Sequence, residues 1–508
     1  IYSKWMKSFF FILVITLSNL LIYSQTKKIS FSSKESKGIV VNERKLLILW
    51  NQVKFKHKNT LMCCDSAIYE GSKNSFIAYN NIQINENDSL KIYGDSLHYF
   101  GDIQKAYIYG NVTVKSNRIK LNTISLIYDR KTKIAYYNNG GLVKDLEKEY
   151  DIESKKGVFK TRIQSVFFKE NVKLNHENYN LISDTLIYHT NTQKSDIIGN
   201  TEIYTKKSKI FCNKGWFDSK NSNASFKGEI TMETKNQKLF ADSIFYDEIS
   251  GLSYADGNVK IIDDSAKVII YGNYGFYNEK TDSIKVWDHA VFTQLDDLDT
   301  VNIYADQFIS FKDSNKEIFI CYNNAVINGN SISGDCDSIF YNKTDSLLKC
   351  IDKPVIWLDK NQVSGEKIEF KTFNGEIFSM KVENKSIIIN KKDSIHYDQV
   401  HGKKIDGIFE NNELKILYVD EDGEAIYFTE DEKDSTINEI NTIYCESMTI
   451  LLKNNNIEKI KFNTKPNGKT VPLNGENDDI YLNDFMIYSK RSYQDKILKA
   501  NGELPKGM

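Results

Sequence analysis

Proline is almost missing from this chain, with 4 in 508 residues. Pro-rich linkers are therefore excluded, and 30 Tyr with 28 Phe weigh against disorder. Charge of one sign is missing too. The formal net charge is −1, so no surface for a polyanion is written into the chain as a whole, and no nucleic-acid partner is expected. Alanine is scarce, whereas Asn, Lys, Ile, Ser and Thr are abundant, which suits extended structure better than helix. No C-x-x-C occurs, nor H-E-x-x-H, G-x-S-x-G, Walker loop or dinucleotide fingerprint. No enzyme, metal site or cofactor is expected.

One long apolar run is present and it stands first. Met6-Lys7 is followed by Phe9–Ile22, apolar except for Thr16, Ser18 and Asn19. It is short for a spanning helix, which needs about 20 residues, and suits an export signal over residues 1–24, cut near Ser24/Gln25. Residues 1–5 precede the first Met and are expected to lie outside the natural reading frame. No Cys closes the run, so a bacterial lipid anchor has no attachment point. The expected location is the periplasm, with association with the outer membrane left open.

What fills the rest is repetition. A first phrase, "GNV" in its clearest form, ends at Val53, Ile82, Val112, Leu142, Val172, Thr201, Ile230 and Val259, in steps of 29 or 30 residues. It continues at Val291, Val326 and Val355. A second phrase keeps the same time: "CDSAIY" at Tyr69, "GDSLHY" at Tyr99, "SDTLIY" at Tyr188, "ADSIFY" at Tyr246 and "CDSIFY" at Tyr341. About eleven copies run from Leu46 to Phe370, and beyond them the spacing breaks down. The tail from Pro466 holds three of the four prolines and reads as a cap or docking segment.

Each phrase reads as a strand. Ala106, Ile108, Val112 and Val114 alternate with Tyr107, Tyr109, Asn111 and Thr113, the period of a strand with one buried face. A unit of two or three short strands cannot bury its own apolar face, so neighbours must stack. Glycine inside such a strand marks a bulge or bend. Because Glu170, Asn324 and Lys353 stand at the same place in other copies, a strict positive φ is not expected there.

The repeat also reassigns residues that look chemical. Cys64, Cys212, Cys336 and Cys445 share a slot that other copies fill with Gly94, Thr123, Ser183 or Ala241, so it is a slot for small residues. Cys321 and Cys350 share another register and are a candidate disulfide between layers. Asp65, Asp95, Asp184, Asp242, Asp306 and Asp337 recur once per copy, which marks a backbone need rather than a catalytic pair.

The pairing of "GDSLHYFGDIQKAYIYGNVTVKS" (Gly94–Ser116) with "ADSIFYDEISGLSYADGNVKIID" (Ala241–Asp263) resembles the OstA-like family over roughly residues 30–465. Length and composition look like the long Bacteroidetes members. The resemblance implies an all-β fold, an elongated β-jelly-roll (a solenoid-like β-taco) of stacked short strands. Two stretches, 25–185 and 186–370, form its body, with an irregular cap over 371–508. It implies an apolar trough that shields lipopolysaccharide acyl chains, and transport partners in both membranes joined through edge strands. Head-to-tail self-association is left open. Candidate lining residues are Ala106, Ile108, Val112, Val114, Ile230, Val259 and Ile261. The alternative is an exported structural or adhesive β-solenoid whose interior is simply filled.

Overall fold

A computed structural model describes residues 28–491 except 87–89, 117, 147–149, 161–162, 296–299, 374–375, 412, 431–436, 454–455 and 474–480. The leader expected over residues 1–24 lies outside the described residues. The described chain is all-β, with a single 3-10 turn at Gly71–Lys73. It forms two compact units. The first is built from residues up to Lys206 together with Asn213–Asn221, and the second from Lys207–Cys212 and from Ser222 onward.

In the first unit each repeat supplies two antiparallel strands. Arg44–His57, Thr60–Glu70, Ser75–Glu86, Leu90–Phe100, Lys105–Lys115 and Ile119–Asp129 each pair with the next. Their turns therefore fall alternately on two rims. One rim carries the turns after His57, Glu86 and Lys115, and the other those after Glu70, Phe100 and Asp129. Apolar and polar residues alternate along each strand, and the inward set is completely buried.

Midway along, each strand is broken where the pairing register shifts, as between Tyr109 and Val112. Two consecutive residues there take the left-handed conformation: Gly110 (φ +73°) with Asn111 (φ +43°), and Gly257 (+80°) with Asn258 (+50°). The expectation that a positive φ is not required is overturned. Glu170 (+63°), Asn324 (+54°) and Lys353 (+54°) adopt it as well. A fold that bends every layer at one place imposes the conformation even on side chains that resist it.

The recurrent Asp pins this bend. Asn111 Nδ2 donates to Asp95 Oδ2 (2.8 Å), as Asn81 does to Asp65 (2.7 Å) and Asn258 to Asp242 (2.8 Å). Glycine is needed where that carboxylate leans over the chain: a Cβ at Gly110 would stand 2.4 Å from Asp95 Oδ2. Gly110→Ala is expected to destabilise the protein by about 2–3 kcal/mol, combining left-handed strain with the displaced hydrogen bond. Chemical denaturation measures it, and an unchanged midpoint would show that the bend is not held in this way.

Four phrases are out of register by one residue, those ending at Leu142, Val291, Val326 and Val355. In the copies ending at Val291 and Val326 the left-handed pairs are Asp288–His289 and Asn323–Asn324. The inward residues are thus Ala290 and Ala325, while Val291 and Val326 pack with Tyr304 on the opposite face. A slip of one residue exchanges the faces of a strand.

The bends also outlast the spacing that ends near Phe370. They recur at Asn384–Lys385 and Glu421–Asp422, in strands lengthened to Glu376–Lys391 and Glu413–Glu430. Of the tail from Pro466, Asn467–Pro472 pairs with Glu439–Tyr444, and residues 481–491 lie along the second unit. Leu482 N donates to Gln399 Oε1 (2.8 Å), Gln362 Nε2 to the Met486 carbonyl (2.7 Å), and Arg491 pairs with Asp335.

Candidate functional site: the apolar interior

The small-residue slot lies at the fold of each layer, where the two arms of the bent sheet are nearest. A Cβ at Gly94 would stand 2.5 Å from Ile108 Cγ2, and one at Gly272 2.4 Å from Val286 Cγ1. Cys64, Cys212, Cys336 and Cys445 occupy the slot as buried free thiols. Burial pushes the Cys64 thiol up to about 12, the direction of an inert packing residue.

The candidate disulfide does not form. Cys321 and Cys350 both pair with Ile339, one from each side, so a whole strand stands between them. Two strand spacings put their Cα atoms about 10 Å apart, beyond the reach of a disulfide. Both are free.

The candidate lining residues all face inward, in two different settings. In the first unit Ala106, Ile108 and Val112 are at most 1% exposed and Val114 7%. Their neighbours Leu97, Leu121, Leu126 and Tyr128 are buried as completely, so this interior is filled by its own side chains. In the second unit Ile230 and Val259 are equally buried at the fold of the layers, but Ile261 is only partly buried. The same holds for the inward residues nearer the rims over 222–295: Met232, Leu239, Tyr246, Ile270, Tyr277 and Ile284. Over 222–295 the fold of the layers is thus buried, while the inward apolar residues nearer the rims are only partly buried. From Ile303 to Leu452 most of the interior is buried again, with Phe319, Ile332, Leu348 and Ile377 partly buried against it.

Polar contacts across the rims close the first unit. Tyr99 stands beside one rim and His57 on the other. Arg130 Nη1 donates to Tyr99 Oη (2.7 Å), leaving the hydroxyl proton for His57 Nδ1, also 2.7 Å away. Arg130 Nη2 donates to the His57 carbonyl (3.2 Å). One step along, Tyr128 donates to Glu86, which also pairs with Lys133. Further on, Tyr188 Oη donates to Asp145 Oδ2 (2.9 Å), which Arg118 Nε also reaches (2.8 Å), while Arg118 Nη1 donates to the Thr190 carbonyl (3.1 Å). Burial pushes the Tyr128 hydroxyl up to about 12 and raises those of Tyr99 and Tyr188, so all three remain protonated donors.

These clasps are absent from the candidates drawn from sequence, although a signal exists. His57, Glu86 and Asp145 each stand 42 or 43 residues before the tyrosine they bind. In the second unit the corresponding tyrosines bond along their own rim instead, Tyr246 Oη to Glu279 and Tyr277 Oη to Asp282, at 3.4 Å each.

A family model described as OstA-like protein matches residues 31–184 and 174–297, together just over half of the chain. No curated protein matches. Among solved structures, the chain is similar to LptH from Pseudomonas aeruginosa, described as the LptA homologous periplasmic component of the conserved lipopolysaccharide transport device. The two are 13% identical over 34% of this chain and 79% of LptH, with a TM-score of 0.13, too low to carry an argument.

Proposed function

The chain belongs to the OstA-like family, and from that membership we propose that it is a non-enzymatic periplasmic lipid conduit, shielding lipopolysaccharide acyl chains on their way to the outer membrane. The observation that carries this reading is the incomplete burial of inward apolar residues near the rims of 222–295, which we read as a cleft. A β-protein that needed only a core would bury Met232, Leu239, Ile261, Ile270 and Ile284, yet all are only partly buried. Such walls suit acyl chains, which gain from any apolar surface and need no polar anchor. Repeated layers offer many similar weak sites, as a moving cargo requires, since one tight site would trap it. The chain's own contribution is the surface, and the driving energy comes from partners, which edge strands are suited to receive.

The filled interior of the first unit favours, for that unit alone, a structural β-solenoid. The cleft speaks for the conduit. A photocrosslinking amino acid at Ile261 is expected to form an adduct with lipopolysaccharide in intact cells, and the same group at outward-facing Tyr254 to form none. Equal labelling at both positions, or none at Ile261 when expression and folding are normal, would leave the structural solenoid as the better reading.

A further inference from the structure

Resting on the conduit reading, we propose that the tyrosine clasps are a gate: they hold the first unit shut when it is empty and part to admit an acyl chain between its arms. The first unit has the apolar lining of a conduit but no room in it, because Ile108, Leu97 and Leu126 fill the space. A chain can enter only if the arms separate, and the contacts that resist separation are those joining the rims. Three are seen among the described residues, at Tyr99, Tyr128 and Tyr188, set at the beat of the repeat. Each consists of hydrogen bonds and ion pairs with no covalent link, so each can break and re-form.

The same tyrosine position has two bonding modes within this one chain. Across the rims, the interior beneath is full; along one rim, as at Tyr246 and Tyr277, the interior is half-open. What selects the mode is the residue opposite. Glu86 precedes Tyr128 by 42 residues and Asp145 precedes Tyr188 by 43, and each supplies a carboxylate. The residue 43 before Tyr277 is Thr234, too short to reach across, and its hydroxyl donates to the Gln237 carbonyl. A polar rim residue long enough to reach a tyrosine 42 or 43 positions later, His57, Glu86 or Asp145, thus writes a closed layer, and its absence an open one.

Two variants of the full chain test this with a diazirine-bearing palmitate as probe, its adducts located by peptide mass spectrometry. Tyr128→Phe combined with Tyr188→Phe keeps both rings and removes two clasps, and labelling at Ile108 is expected to rise several-fold over the parent. Thr234→Glu is a surface change that offers Tyr277 a partner, and labelling at Ile261 is expected to fall several-fold. A melting curve for each confirms that it folds, and if the double variant does not, Thr234→Glu decides alone. Labelling at Ile261 in the parent that is unmoved by Thr234→Glu, with Ile108 equally indifferent, overturns the gate and leaves the conduit standing. Absence of labelling at Ile261 in the parent overturns the conduit and the gate with it.

Discussion

Ile108→Asp is expected to lower the unfolding free energy by about 4 kcal/mol or more, enough to unfold much of the protein at growth temperature. Ile108 is fully buried at the middle of the first unit. Removing its side chain alone costs about 2–5 kcal/mol. The carboxyl group that replaces it finds no cation on the inward face of its own strand or of the facing residues Leu97 and Leu126. It must enter protonated and short of hydrogen-bond partners, which adds roughly 1–3 kcal/mol. A domain holds only about 5–15 kcal/mol in all. Tyr109→Asp, one residue along and half-exposed on the outer face, is expected to change stability by no more than about 0.5 kcal/mol. Ile261→Asp falls between, since its side chain reaches water in the cleft. Thermal melts of the three variants give the order directly, and a melt for Ile108→Asp equal to that of Tyr109→Asp would show that the alternation does not define a core.

That alternation is the part of the fold most plainly legible in the sequence. Period two needs only the order of apolar and polar residues, so Ala106, Ile108, Val112 and Val114 are placed on the buried face by pattern alone. The Asp of the second phrase is legible as a backbone requirement because it recurs, and its partner proves to be an Asn of the following strand. The backbone at the bend is harder to read. Substitution of Gly by Glu or Lys suggests freedom, yet the fold demands a left-handed residue and tolerates the strain. A one-residue slip at Val291 and Val326 hides in a phrase that still looks intact, because "HAV" and "NAV" keep their valine while the bend moves. Bends at Asn384–Lys385 and Glu421–Asp422 are obscured for another reason: the strands lengthen, so the spacing no longer announces them. The clasps escape because each joins residues 42 or 43 apart, more than one repeat, and comparison of neighbouring copies never sets them side by side. The difference in burial between the two interiors is not legible at the positions of Ile108 and Leu126, because small residues hold them in other copies of both: Ala67, Ala78 and Gly157 in the first unit, Ala255 and Gly275 in the second.

Asp145→Ala is expected to destabilise the first unit by about 3–5 kcal/mol, more than any single tyrosine-to-phenylalanine change at the clasps. Asp145 is buried, and one of its oxygens accepts from both Arg118 and Tyr188. Removing it deprives the largely buried Arg118 of its carboxylate and leaves the Tyr188 hydroxyl without its acceptor, whereas Tyr188→Phe removes one neutral donor from a pair that otherwise remains. The latter change is expected to cost about 1 kcal/mol. Arg118→Met in the Asp145→Ala background should recover part of the loss, since it withdraws the stranded charge and retains apolar bulk. Chemical denaturation of the two single variants and the double variant closes the cycle. A cost for Asp145→Ala no greater than that of Tyr188→Phe would mean that the ion pair contributes nothing, and the strength of that clasp would then rest on the tyrosine hydroxyl alone.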